Sequence, residues 1–351
     1  MVKSTASLLL KMTMLTIATQ RIAGFAPRCL RQQRAQLLNR STKSAVSETR
    51  STGSIGRLYH SSRRTTLKAT VPKGADYGVD MDQNAMMESD MLVTVDINDV
   101  LVQSPVEGDA NSKYCSKKEG HAFGPDSPRG VLHRAFSFFL FNKKGEMLLT
   151  QRAGSKITFP NVWTNTCCSH PLWGMTPNEV DVVPDAYPQF DGIKHAARRK
   201  LKHELGIEMS DIPHSDIMFI SRFHYWASDT ITHGPDTPWG EHEVDYILFL
   251  QVDDEPEVNA NPDEVSHYKY VSLQQLKDMM YEEEYSDLLW SPWFRGIMER
   301  GGFDWWEDLE GSMDGKYTNE DVTFFDATPE HFASYNLPTH TRLTGVLEAE
   351  N

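Results

Sequence analysis

The sequence predicts an α+β fold, an α/β sandwich in which a mixed sheet is flanked by helices. Strand-like stretches follow one another through short turns, as hairpins, instead of alternating regularly with helices. Helical periodicity is confined to a few windows. With 39% hydrophobic residues, eight Trp among them, the chain can fill a core, and no run of eighteen apolar residues offers a membrane span. The 351 residues could hold one large domain or two ordinary ones; the patterning places one folded domain over about 91–310.

Taken in order, residues 76–90 are polar and read as a linker. "MLVTVDIND" (Met91–Asp99) alternates like a strand ending in a turn, and "HRAFSFFLFN" (His133–Asn142) is a strongly aromatic buried-strand pattern. A turn over Asn142–Gly145 returns the chain as "EMLLTQRA" (Glu146–Ala153), its hairpin partner. "TFPNVWTNTCCSHPLWG" (Thr158–Gly174) carries Pro, Asn and Gly at its ends and reads as a loop at the edge of a sheet. "GIKHAARRKLKHELGIE" (Gly192–Glu208) is a helix with a glycine near its C-terminus. "IMFISRFHYWA" and "EVDYILFLQV" are two further strands. After Asp263, "SLQQLKDMMYEEEYS" and a Trp-rich stretch to Trp306 read as helical, and residues 311–351 form a polar C-terminal extension with few signals.

Charge divides the chain. Residues 1–73 hold 14 Lys or Arg against one acid, Glu48, about +13, whereas the remainder holds 21 against 48, or −27. The basic segment is rich in Ser, Thr, Arg and Ala, the composition of an organellar transit peptide, so residues 1–75 are expected to be a disordered targeting leader. Within it Leu8–Ala18 resembles a short secretory h-region interrupted by Lys11. "AGFAP" (Ala23–Pro27) resembles the junction of bipartite plastid leaders, while "RLYHSS" (Arg57–Ser62) suits a mitochondrial presequence. A plastid is preferred to a mitochondrion. The alternative, a basic tail for nucleic acid, lacks interleaved aromatic residues that could stack on bases, so no nucleic-acid partner is expected. The four cysteines, Cys29, Cys115, Cys167 and Cys168, contain no CxxC and make no disulfide framework, which implies a reducing compartment.

Three polar clusters stand out. In "NTCCSHP", Cys168 and His170 sit between Trp163 and Trp173. In "WGEHEVDY", Glu241 and Glu243 are two apart and would share one face of a strand. His121 and His133 bracket a Gly/Pro/Asp loop before the aromatic strand. Any one of these residues could be an ordinary exposed side chain; imidazoles and carboxylates together suit a divalent ion such as zinc or manganese. A fourth cluster is the helix end "RRKLKHELG", which could equally be a solvated amphipathic face.

That helix end resembles the last part of a Nudix box, with Arg199, Glu204 and Gly206 in the expected places and Lys200 and His203 where the box needs glutamates. More specifically, "HRAFSFFLFN", "KITFPNVWTNTCCSHPL", "RRKLKHELGI", "RFHYWASD", "WGEHEVDYILF" and "SPWF" occur in the order seen in type I isopentenyl-diphosphate isomerases, over roughly Met91–Trp306. The resemblance implies a Nudix-like sheet flanked by helices. It makes Cys168 the catalytic cysteine, Glu243 its acid/base partner and Tyr225 the hydroxyl supporting that carboxylate. It assigns His121, His133, His170, Glu241 and Glu243 to one tight site for zinc, manganese or magnesium, and Glu204 to a magnesium ion that accompanies the substrate diphosphate. Lys117, Arg152, Lys156 and Lys200 become the cationic diphosphate contacts and Trp293 the aromatic cover of the hydrocarbon. The loop before His133 varies in length in the family, so His121 is placed least tightly.

The implied partner is a small-molecule diphosphate; monomer and homodimer both stay open. Two other readings compete: a Nudix-type diphosphate hydrolase, disfavoured by the replaced glutamates and the Cys168 segment, and a non-catalytic zinc-stabilised binding module, which would need neither the cysteine nor the cationic set.

Overall fold

The computed structural model describes residues 83–104, 112–124, 127, 129–234 and 237–326, so the expected leader lies outside the described residues. Part of the stretch expected to be linker is instead helix α1 (Gln83–Ser89), which buries Met86 and Met87 on one side. Seven residues with two adjacent apolar ones are too few for a periodic signal. β1 (Met91–Val93) pairs antiparallel with β2 (Tyr114–Ser116). Helix α2 (Lys117–His121) starts with a capping box: Ser116 Oγ accepts from the Glu119 amide and the Glu119 carboxylate accepts from the Ser116 amide.

β3 (His133–Phe141) and β4 (Met147–Arg152) form the expected hairpin. Asn142 Oδ1 accepts from the amides of Lys144 and Glu146, and Gly145 takes the left-handed conformation (φ 75°) the turn requires. The segment read as a loop contains two short strands, β5 (Trp163–Thr164) and β6 (Cys167–Ser169). Helix α3 (Asp191–Leu205) ends at Gly206 with φ 67°. Then come β7 (Met218–Ser228), helix α4 (Thr230–His233), β8 (Gly240–Gln251), β9 (Val265–Val271) and helices α5 (Leu273–Tyr281), α6 (Pro292–Ile297), α7 (Phe303–Glu307) and α8 (Leu309–Met313). Strand β10 (Val322–Asp326) follows, so the folded unit continues past 310 to at least 326 and the expected boundary of the C-terminal extension is corrected. Nor was β9 expected: it buries only Val265 and Val271 at its ends, which erases the alternation.

The main sheet has the order β10-β7-β8-β3-β4-β5. β3 and β8 run parallel through nine register pairs, β7 and β8 antiparallel, and β10 parallel to β7. β3 meets β4 only at Phe141/Met147; from there the two diverge, and β6 fills the wedge by pairing Ser137 with Cys168. Thr166 bridges the split, accepting from the Leu140 amide (2.9 Å) and donating to the Leu148 carbonyl (2.7 Å). This wedge places a cysteine beside the central strand.

Both faces of the sheet are covered, so β3 and β8 read as continuous apolar runs. Phe136, Phe138, Val244, Tyr246 and Leu248 pack against Ile193, Ala197 and Leu201 of α3; Phe139, Phe141, Ile247 and Phe249 pack against the helical layer that includes Phe294 and Trp306. Near the N-terminal ends of β3 and β8 the second face changes from apolar to polar, through His133, Ser137, Glu241, Glu243 and Asp245. On the opposite face Asp99 is enclosed: Arg134 Nε donates to Oδ1 (2.6 Å), Arg222 to Oδ2 (2.8 Å), Arg134 also to the Asp99 carbonyl (2.8 Å), and the Tyr246 hydroxyl to Oδ2. Among the described residues no helix is long and apolar enough to cross a membrane.

Candidate active site

Period-two geometry brings Glu241 and Glu243 of β8 onto one face, and parallel pairing sets His133 opposite Glu243. His121 comes from the end of capped helix α2 and His170 from just after β6. The bidentate ion pair of Arg199 with Glu179 (2.6 and 2.8 Å) and its bond to the His170 carbonyl (3.1 Å) hold that last segment against α3. The ligand atoms of His121, His133, His170, Glu241 and Glu243 lie within 4.8 Å of one another, all buried. The three imidazole centroids form a triangle with sides of 5.1, 5.0 and 5.0 Å.

Hydrogen bonding fits this set to a cation. His121 Nδ1 and His133 Nδ1 each lie 2.7 Å from a backbone carbonyl, of Lys117 and Val131, so the proton belongs on Nδ1 and the Nε2 lone pair faces the cluster. His121 Nε2 is 2.7 Å from Glu241 Oε2, yet neither atom makes a hydrogen bond, and His133 Nε2 makes none either. Burying such acceptors unpartnered costs on the order of 1–3 kcal/mol each. Burial, then the neighbouring imidazoles, holds His170 well below the usual histidine range. Three imidazole nitrogens and two carboxylates suit a divalent metal ion.

Beside this cluster, Glu243 Oε2 accepts a 2.5 Å bond from the Tyr225 hydroxyl, and its Oε1 lies 2.8 Å from His170 Nε2. Burial pushes the Glu243 carboxyl up, but its polar surroundings, the Tyr225 hydroxyl bond among them, outweigh that and leave it below the ordinary carboxylate range. The Cys168 thiol donates to Asn165 Oδ1 (2.9 Å), accepts from Trp293 Nε1 (3.0 Å) and lies 3.4 Å from Thr164 Oγ1. Burial pushes this thiol up to about 12. Asn165 is pinned in turn by donating to the carbonyls of Phe138 and Cys167 (3.1 and 3.0 Å).

Lys117, Arg152, Lys156, Lys200 and Glu204 line the same cavity as Cys168, Glu243, Tyr225 and Trp293. Arg152 is fixed by donating to the carbonyls of Phe159 (2.9 Å) and Thr158 (2.7 Å), with its guanidinium 5.6 Å from the Trp293 ring centre. Lys200 Nζ sits 3.1 Å from Glu204 Oε1 and 3.1 Å from His203 Nδ1. Burial, then Lys156, lowers Lys117 to about 8. The residues to which the resemblance gives a catalytic, substrate-binding or metal role thus line one cavity or, for His133, belong to the ligand cluster beside it.

Sequence reasoning missed Asp245, Ser137, Asn165 and Glu264. Asp245 continues the Glu241/Glu243 period, and Ser137 donates to it (2.8 Å); its carboxyl is pushed well above the usual range by burial and by Glu243. Only Asp245 had a detectable signal, its spacing.

A profile described as the NUDIX domain matches residues 131–294. An isopentenyl-diphosphate delta-isomerase of Schizosaccharomyces pombe is 42% identical over 231 residues, covering 66% of this chain and 89% of its own. One from Gibberella zeae is 40% identical over 243 residues, covering 69% of this chain and 85% of its own. A chloroplastic isopentenyl-diphosphate delta-isomerase of Cannabis sativa is 39% identical over 249 residues, 70% of this chain and 78% of its own.

Proposed function

This chain belongs to the isopentenyl-diphosphate isomerase family and interconverts isopentenyl and dimethylallyl diphosphate; we propose that Cys168 and Glu243 are the two groups that move the protons. The observation that carries the assignment is that both line one cavity, which Lys117, Arg152, Lys156 and Lys200 also line. Isomerising an unactivated double bond protonates the terminal methylene and removes a proton from the carbon two positions away, through an intermediate resembling a tertiary carbocation. Water would trap that intermediate, so the carriers must be enclosed, as the buried Glu243, Tyr225 and Trp293 are.

At neutral pH burial keeps the proton on the Cys168 sulfur, while Glu243 is ionised. Each turnover gives one proton to the substrate and takes another from it, so the two carriers exchange protonation states and are reset by proton exchange before the next. The Tyr225 hydroxyl fixes one carboxylate oxygen of Glu243, and the bond from Trp293 together with the thiol's own bond to Asn165 fixes the sulfur. The Trp293 face adds a cation–π contribution of about 0.5–2 kcal/mol toward the developing charge. Lys117, Arg152, Lys156 and Lys200 bind the diphosphate and orient the hydrocarbon toward Cys168.

A divalent ion, zinc, manganese or magnesium, held by His121, His133, His170, Glu241 and Glu243 would orient the Glu243 carboxylate and tune its basicity, and magnesium at Glu204 would neutralise the diphosphate. Helix α3 offers Glu204 where a hydrolase needs several carboxylates, and Lys200 already pairs with it. Residues 1–75 act as an organellar leader, toward a plastid in preference to a mitochondrion; the +13 block and the chloroplastic relative support this. A fluorescent protein fused to those residues should enter the organelle, and a cytosolic signal would end the idea. The activity is tested by incubating isopentenyl diphosphate with the protein: dimethylallyl diphosphate is expected, and free phosphate instead would identify a hydrolase.

A further inference from the structure

Glu264 is 2% exposed and does not line the substrate cavity, yet it stands directly behind the diphosphate end of it. Its Oε2 is ion-paired with Lys156 Nζ, its Oε1 accepts from Gln83 Nε2 of α1 (2.9 Å), and the same oxygen lies 3.8 Å from His203 Nδ1. His203 in turn touches Lys200 Nζ at 3.1 Å. The Glu264 backbone is engaged as well, accepting from the Ala153 amide (2.9 Å), while Lys156 closes the following turn onto the Ala153 carbonyl (3.2 Å). One residue therefore grips the Arg152–Lys156 turn by main chain and side chain, and ties it to α1 and α3.

A lysine side chain carries four rotatable bonds and a compact charge, so the buried Lys156 and Lys200, crowded with the half-buried Lys117, would splay apart without a buried anion among them. Glu204 supplies one such anion inside the cavity, and Glu264 supplies the other from behind. We infer that Glu264 is a positioning residue for the diphosphate site: it holds Lys156 extended before substrate arrives. The inference rests on the reading that Lys156 and Lys200 bind the diphosphate. Glu264 touches no reacting atom, so its effect belongs in binding and not in proton transfer.

The test measures KM, kcat and competitive inhibition by inorganic pyrophosphate for Glu264→Gln, Lys156→Met and the double variant. For Glu264→Gln we expect KM and the pyrophosphate inhibition constant to rise about tenfold or more while kcat stays within about threefold. The double variant should be no worse than Lys156→Met alone, because the two residues act as one unit. Multiplied single effects in the double variant would show that Glu264 acts elsewhere and overturn the inference, as would pyrophosphate binding in Glu264→Gln as tight as in the parent. Unchanged pyrophosphate inhibition in Lys156→Met would sink the reading of the lysines themselves, and the inference with it. Should Glu264→Gln not fold, Glu264→Asp keeps the charge but draws it back by one carbon; a KM rise at constant kcat supports the inference, and unchanged KM refutes it.

Discussion

Two buried polar clusters occupy opposite faces of the same strands, one residue out of phase: Arg134 points to one and His133 to the other, Tyr246 to one and Glu243 to the other. On the first face both Asp99 carboxylate oxygens and its carbonyl are taken by Arg134, Arg222 and Tyr246. On the second, His121 Nε2, His133 Nε2 and Glu241 Oε2 converge with no donor between them. Burial of charge is common to both, so burial is not what distinguishes a site from a scaffold. The difference is in the partners: a cluster whose acceptors are met by arginine and tyrosine donors holds strands together, whereas buried acceptors that converge without a protein donor suit a cation.

The sharpest way to break this comparison is to alter the second face and find the fold, not the chemistry, affected. Cys168→Ser and Glu243→Gln should each lower kcat at least a thousandfold, roughly 4 kcal/mol of barrier, while thermal unfolding shifts little in Cys168→Ser. Cys168→Ala retaining more than about a tenth of parental turnover would make the cysteine a packing residue. The converse change is Asp99→Ala, which leaves Arg134 and Arg222 buried without their anion and should cost about 3–5 kcal/mol of stability. Denaturant titration measures this, and turnover per folded molecule should be preserved. If turnover falls as far as stability, the two faces are coupled and the division is wrong.

Metal content sharpens the contrast further. His170→Ala and Glu241→Gln should each lose most of a bound divalent ion by elemental analysis, whereas Asp99→Asn should keep it. Chelation of the parent protein should lower its unfolding free energy by about 2.7 kcal/mol if the ion was present at a hundred times its dissociation constant. The smallest expected effect concerns pH. Burial and Lys156 lower Lys117 to about 8, so its charge is present below that pH and lost above it. Diphosphate binding, which needs the charged form, should weaken as pH rises through 8, seen as a rising pyrophosphate inhibition constant; Lys117→Met should flatten that limb.

How legible these features were depended on the range of the interaction that makes them. The β3–β4 hairpin and α3 announce themselves within a few residues, by a turn asparagine and glycine and by a C-terminal Gly206. Glu241 and Glu243 are readable because period two needs only neighbours. Asp245 obeys the same rule but sits inside an aromatic run and reads as strand filler. Glu264 was illegible because its partner Lys156 is 108 residues away and its significance exists only once both are buried. β6 escaped because a three-residue strand in a wedge between diverging strands has no pattern of its own, and β9 because its middle faces solvent.

Strand β10 has one more consequence. Its Phe325 lies face to face with the Tyr225 ring, centroids 5.4 Å apart at an interplanar angle of 7°, and packs so closely on Gly296 of α6 that no side chain fits there. The ring stacked on Tyr225 therefore arrives from about 100 residues downstream of its partner strand. Every residue of the cavity and of the ligand set precedes Phe325 in the chain and so leaves the ribosome before it does. Chain delivery runs from the N-terminus, so a chain stopped short of Val322 would carry the whole ligand set without the ring that stacks on Tyr225.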